Sequence, residues 1–181
     1  MRELSLHIMD IVENSVAAGA IRVRISVVEH TPRNLLRISI RDNGRGIPEH
    51  QLERVLDPFY TTKTTRRVGL GLSLFREASR RCDGEFTIRS KEDEGTEVSA
   101  SFRLDHIDLA PVGDMASSMT SLIMGNPGVD FIYTHERNGK SFQVDTREVK
   151  KELEDLPITH PEVIKFIGDS IRESLEEIKA A

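Results

Sequence analysis

Asp42-Asn43-Gly44-Arg45-Gly46-Ile47-Pro48 follows a run in which Leu36, Ile38 and Ile40 alternate with polar residues. That period marks a half-buried strand and puts Asp42 in phase with Ile38 and Ile40. Its carboxylate is predicted to point into the buried layer, where it needs a partner. An ionised carboxylate only accepts hydrogen bonds, so it suits an exocyclic amino group, which adenine carries and guanine lacks at the equivalent ring position. The glycines let backbone approach a ligand closely. The same residues also read as an ordinary Asp-Asn-Gly turn between strand and helix.

Upstream, Leu4, Ile8, Ile11 and Met9, Val12, Val16 recur at helical spacing over residues 3–18. Asp10 and Asn14, four apart, share a face of that helix. An amide oxygen from Asn14 can complete the shell of a Mg²⁺ held by phosphate and waters, and a carboxylate one turn back can orient or deprotonate water. A solvated helix face is the plainer account. Ile21, Val23, Ile25 and Val27 predict a strand paired antiparallel with 36–40 through the turn Thr31-Pro32-Arg33-Asn34.

Downstream, a short helix is expected near 49–56, then a polar loop, then a helix over 70–81 entered through Val68-Gly69-Leu70-Gly71-Leu72. Glycines before a helix N-terminus expose N–H groups to an anion such as phosphate, although a plain loop-to-helix junction looks the same. Lys63, Arg66 and Arg67 could neutralise that anion or simply be an exposed basic loop. Strands over 86–89 and 98–104 close the first unit around the turn Lys91 to Gly95.

Taken together these segments resemble the ATPase superfamily of gyrase, heat-shock chaperones, histidine kinases and mismatch-repair proteins (GHKL). Asp10-Ile11-Val12-Glu13-Asn14-Ser15 is similar to the family's asparagine box, and Asp42 to Gly46 to its first glycine box. Gly69-Leu70-Gly71-Leu72 resembles the second glycine box, and Gly95-Thr96 the last box. Asp57-Pro58-Phe59-Tyr60-Thr61-Thr62-Lys63 resembles the phenylalanine box of bacterial histidine kinases. Residues 14–20 also look like the mismatch-repair version of the first box, which leaves a mismatch-repair-like ATPase as a further alternative.

The resemblance implies an α/β fold for residues 1–106: a two-layer sandwich of helices on a mixed, mostly antiparallel sheet, the Bergerat ATP-binding fold. It implies ATP and Mg²⁺ as cofactors. By that likeness Asp42 reads adenine, Thr96 supports the base site and Asn14 holds Mg²⁺. Gly44, Gly46 and Ile47 would line the base; Lys63, Gly69, Leu70, Gly71 and Leu72 the phosphates; Phe59 would pack at the foot of a short lid. Asp10 is the candidate base. It stands where hydrolytic members usually carry Glu, a loss of roughly 1.5 Å of reach that predicts slow intrinsic hydrolysis.

The asparagine box begins almost at Met1, which predicts that self-contained histidine autophosphorylation does not occur, and His7 lacks the surrounding acceptor pattern. The expectation is a regulatory protein, laid out like anti-sigma kinases, that transfers the γ-phosphate to a protein partner in trans. The alternative is an ATP-responsive adaptor that transfers nothing. Residues 107–181 form a C-terminal extension expected as helix, hairpin and helix, packed on the first unit. Asp114 is a candidate N-cap, Asn138-Gly139 marks a tight hairpin, and Thr159 with Glu162 has capping-box spacing ahead of an apolar stripe from Val163 to Ile178.

Composition narrows the classes. The 181 residues carry a net charge of −5 with 38% hydrophobic and 30% charged residues, enough to bury a core. Mild acidity and 5% aromatic residues argue against a nucleic-acid groove. The lone Cys82 and the scattered His7, His30, His50, His106, His135 and His160 suggest neither a disulfide nor a metal cluster. No segment reads as a leader or membrane span, which predicts a cytoplasmic protein, with a homodimer open.

Overall fold

A computed structural model describes residues 3–57 and 71–180. Six strands form one sheet in the order β3-β4-β2-β1-β5-β6. They are β1 (Arg22–His30), β2 (Leu35–Asp42), β3 (Phe86–Lys91), β4 (Gly95–Arg103), β5 (Asp130–Arg137) and β6 (Lys140–Asp145). Neighbours run antiparallel except β1 and β5, which are parallel, with Ile25 opposite Tyr133. A parallel pair needs a crossover, and the chain between β4 and β5 supplies α3 (Met115–Gly125). The fold is the mixed sheet layered with helices that the sequence predicts.

Alternation decides which face is buried. Val23, Ile25 and Val27 of β1, Leu36, Ile38 and Ile40 of β2, Val98, Ala100 and Phe102 of β4, and Phe131 and Tyr133 of β5 share one core. α1 (Leu4–Ala17), α2 (Gly71–Arg81), α3 and α5 (Pro161–Ala180) lend Ile8, Val12, Phe75, Met119 and Ile171 to it. Phe75 organises the α2 contact: its ring lies 5.8 Å from Phe102 and 6.2 Å, edge-on, from Phe86.

Several expectations are corrected. Residues 49–56 form two 3-10 turns, Glu49–Gln51 and Arg54–Leu56, in place of one helix. A helix that periodicity missed, α4 (Thr146–Glu152), follows β6 behind the N-cap Asp145; seven residues show too few turns for a helical period to emerge. Before α5 the cap is the His160 ring, whose Nδ1 accepts from Glu162 N at 3.4 Å, rather than Thr159. Asp114 caps α3 as expected, accepting from Ser117 N at 2.9 Å. Asn138 and Gly139 both take positive φ in the β5–β6 turn, as a tight hairpin requires.

Candidate functional site

Asp42 ends β2 on the buried side, and the residue is 9% exposed. Its Oδ2 accepts from Ser15 Oγ on α1 at 2.5 Å. Its Oδ1 accepts from Gly44 N at 2.8 Å and Thr96 N at 3.3 Å. Three donors from α1, the 42–48 loop and β4 therefore fix one carboxylate. Two carboxylate oxygens offer about four lone-pair positions, so acceptor capacity remains for a ligand.

The loop that carries Asp42 is clamped on both sides. Arg45 N donates to Ala18 O at 2.9 Å, and Asn43 Oδ1 accepts from Arg22 N at 2.9 Å, tying it to the α1–β1 corner. Asp93 N donates to Arg45 O at 2.7 Å, tying it to the β3–β4 turn. Gly46, with φ +68°, lies so close to that turn that a β-carbon there would sit 2.0 Å from Lys91 O. Gly95, with φ +107°, would set one 2.0 Å from Asp42 O. Both close approaches and both left-handed backbones demand glycine.

A hydroxyl pair extends the site. Ser90 Oγ donates to Gly95 O at 2.9 Å, which uses its only hydrogen, so Thr96 Oγ1 at 2.7 Å is the donor of that pair. Ile47 N also donates to Ser90 Oγ at 2.7 Å, which holds the half-buried Ile47 beside β3. Thr96 Oγ1 keeps its acceptor lone pairs for another group.

On α1, Asp10 and Asn14 are half-buried and face the start of α2. A β-carbon on Gly71 would lie 3.3 Å from Asp10 Cβ and 3.7 Å from Asn14 Nδ2. The asparagine box and the start of α2 thus meet, although 57 residues separate Asn14 from Gly71. Leu72 packs against the core. Phe59, Lys63, Gly69 and Leu70 lie outside the described residues.

The donor set suits a nucleotide better than a bare metal. Among the described residues no three His, Cys, Asp or Glu side chains gather to hold a cation, so a divalent ion would depend on ligand oxygens, with Asn14 as an amide donor. At the other end, the Asp42 carboxylate and the Thr96 hydroxyl offer acceptors to the amino edge of a purine.

Ser15 and Ser90 were missed as site residues by sequence reasoning. Ser15 lies one residue past Asn14, where helical spacing by itself gives its hydroxyl no long-range partner. Ser90 carried no local signal, because its three partners come from segments 5 to 43 residues away. His7 is buried on α1 with its ring 5.5 Å from Phe75. Burial lowers its pKa to about 4.

Comparison with known proteins agrees. The family model of histidine kinase-, DNA gyrase B-, and HSP90-like ATPases matches residues 2–106. The sensor histidine kinase YxdK of Bacillus subtilis is 34% identical over 106 residues, covering 55% of this chain and 32% of the relative. The sensor protein kinase FleS of Pseudomonas aeruginosa is 35% identical over 105 residues, 58% of this chain and 25% of the relative. The chain thus spans about a third or less of the length of these curated relatives. Among solved structures, the ADP-complexed ATPase domain of Aquifex aeolicus MutL superposes with a TM-score of 0.55 at 18% identity, over 85% of this chain and 68% of that one. At that identity the likeness concerns the fold alone.

Proposed function

Since the chain belongs to the histidine kinase-, DNA gyrase B-, and HSP90-like ATPase family, we propose that it is a Mg²⁺-dependent ATP-binding regulatory protein that passes the γ-phosphate to a partner protein. The observation that carries this reading is the fixed carboxylate of Asp42, held by Ser15, Gly44 and Thr96 with acceptor capacity to spare.

In this reading Asp42 accepts from the exocyclic amino group of adenine, and Thr96 Oγ1 completes the polar edge. Ile47 supplies an apolar wall, and Gly44 and Gly46 let the backbone close on the base. Asn14 would hold Mg²⁺ through its amide oxygen, and the ion would supply charge neutralisation of the phosphates. Gly71 and Leu72 at the start of α2 would direct N–H groups at the phosphates, and the family likeness assigns Phe59, Lys63, Gly69 and Leu70, which lie outside the described residues, to the same phosphate and lid roles. Asp10 takes the proton from the acceptor hydroxyl of the partner as its oxygen bonds to phosphorus and the bond to ADP breaks.

The test follows label from γ-labelled Mg-ATP into an extract of the source organism. A discrete labelled protein, absent with Asp42→Asn and with Asp10→Asn, is expected. A second reading, an adaptor whose partner affinity changes with bound ATP, is favoured by Asp10, one methylene shorter than Glu. Under it Asp10→Asn keeps nucleotide-dependent partner affinity and no protein is labelled.

A further inference from the structure

The sheet has a second face. Register lines up Thr87, Ser99, Ser39, Ser26, Thr134 and Gln143 across all six strands, one residue per strand. Ser39 and Ser99 share a hydrogen bond at 2.9 Å. Strands lie about 4.8 Å apart, so this row of small polar side chains crosses roughly 24 Å. Two residues along the strands, about 7 Å away, the next row reads Arg89, Glu97, Arg41 and Arg24 over β3, β4, β2 and β1. On the opposite side the row holds Ser101, Arg37, Val28, Glu136 and Ser141. The result is a row of hydroxyls with Arg89, Arg41 and Arg24 along one side and Arg37 on the other.

A solvated sheet face is normally polar, so polarity alone says nothing. The arrangement of charge does. Arg24 and Arg41 are directly opposite on adjacent antiparallel strands, where like charges destabilise a sheet. Both are exposed, as are Arg37 and Arg89, and none of the four makes an ion pair or side-chain hydrogen bond among the described residues. Arg81, Arg103, Arg137, Arg147 and Arg172 do form ion pairs, whereas the exposed Arg33, Arg45 and Arg80, like these four, form none among the described residues; what sets this face apart is that Arg24 and Arg41 are direct cross-strand neighbours. Glu97 is the one acid in the Arg89 to Arg24 row and lies between two of its arginines. In a chain of net charge −5, acids were available to pair with these positions.

We propose that this face, on the far side of the sheet from Asp42, docks an acidic segment of a protein partner. Carboxylates of the partner accept paired N–H bonds from Arg24, Arg41, Arg37 and Arg89, and the hydroxyl row bonds its backbone. The anion relieves the repulsion that the free protein carries. A nucleic acid is a poorer occupant, because the hydroxyl row and the arginines beside it hold no aromatic ring on which bases could stack. The inference is independent of phosphate transfer and stands whether or not the nucleotide reading holds.

The experiment measures fluorescence anisotropy of a labelled ten-residue glutamate peptide, with a single-stranded DNA decamer as competitor probe. The expected result is peptide binding that weakens about tenfold between 50 and 200 mM salt. It should fall at least tenfold in Arg24→Glu and Arg41→Glu and stay unchanged in Arg80→Glu, an exposed α2 residue. Thermal denaturation supplies a separate readout: Arg24→Glu, placing opposite charges across β1 and β2, should melt no lower than the parent. Arg24→Gln and Arg41→Gln repeat the binding test with the charge only removed. No peptide binding at 50 mM salt, equal loss in Arg80→Glu, tighter binding of the DNA, or a lower melting temperature for Arg24→Glu would each overturn the proposal.

Discussion

Ser15 Oγ and Asp42 Oδ2 stand 2.5 Å apart, a bond that closes α1 onto the end of β2 across 27 residues. It places the acceptor-only carboxylate before any ligand arrives. Ser15→Ala removes that donor from a buried charged group, which should cost about 1 to 3 kcal/mol. We expect a lower melting temperature together with weaker ATP binding by calorimetry. Unchanged values for both would show that the bond contributes nothing.

Asp42→Asn turns one acceptor oxygen into a donor while keeping the volume. The amide cannot face both its backbone N–H partners and an exocyclic amino group with acceptors. ATP binding should become undetectable while circular dichroism retains the parent spectrum. Retained affinity would place the adenine elsewhere.

Gly46→Ala and Gly95→Ala each drive a β-carbon to 2.0 Å from a carbonyl oxygen, Lys91 O and Asp42 O respectively, at a positive φ. Each should destabilise by well over 1 kcal/mol in urea denaturation. Gly128→Ala, where a β-carbon meets nothing within 4 Å, should change stability by roughly half a kcal/mol or less.

His7 predicts a pH dependence. Its folded pKa, lowered to about 4 by burial, lies below the unfolded value near 6.5. Between those values the unfolded chain binds the extra proton. Stability is therefore full above pH 6.5 and declines as pH falls toward 4, by about 3 kcal/mol at most. His7 Nδ1 is also buried without a hydrogen-bond partner among the described residues. His7→Leu should accordingly flatten the melting temperature between pH 6.5 and 4.5; parallel curves for variant and parent would exclude the assignment.

Glu29 bridges β1 and β5. It accepts from His135 Nε2 at 2.8 Å and Arg137 Nη1 at 3.3 Å, and the His135 ring bonds Tyr133 Oη at 2.7 Å through Nδ1. The His135 hydrogen bond holds the Glu29 carboxyl below its usual range against the opposing effect of burial. Its contribution is present above the unfolded carboxyl pKa and is lost as pH falls through the lowered folded value. Glu29→Gln should destabilise at pH 7 by about 1 to 3 kcal/mol, and the difference from the parent should shrink in acid denaturation.

Local pattern determined much of this protein. Alternation in 21–27 and 36–40 fixed the β1–β2 pair and the side of the sheet on which Asp42 lies, because the strand period of two leaves no other choice. Ordered motifs in residues 10 to 96 carried the family likeness, and Asn138-Gly139 marked its hairpin through backbone preference. Tertiary structure decided what depends on distance along the chain. That β5 pairs in parallel with β1 is a long-range match, since either edge of a twisted sheet accepts a hairpin of the same composition. Ser15 and Ser90 became site residues only when α1, β3 and β4 converged, because a hydroxyl acquires its role from partners rather than from its own neighbours. The row of Arg89, Glu97, Arg41 and Arg24 likewise exists only in the register, which sets four residues from distant segments side by side.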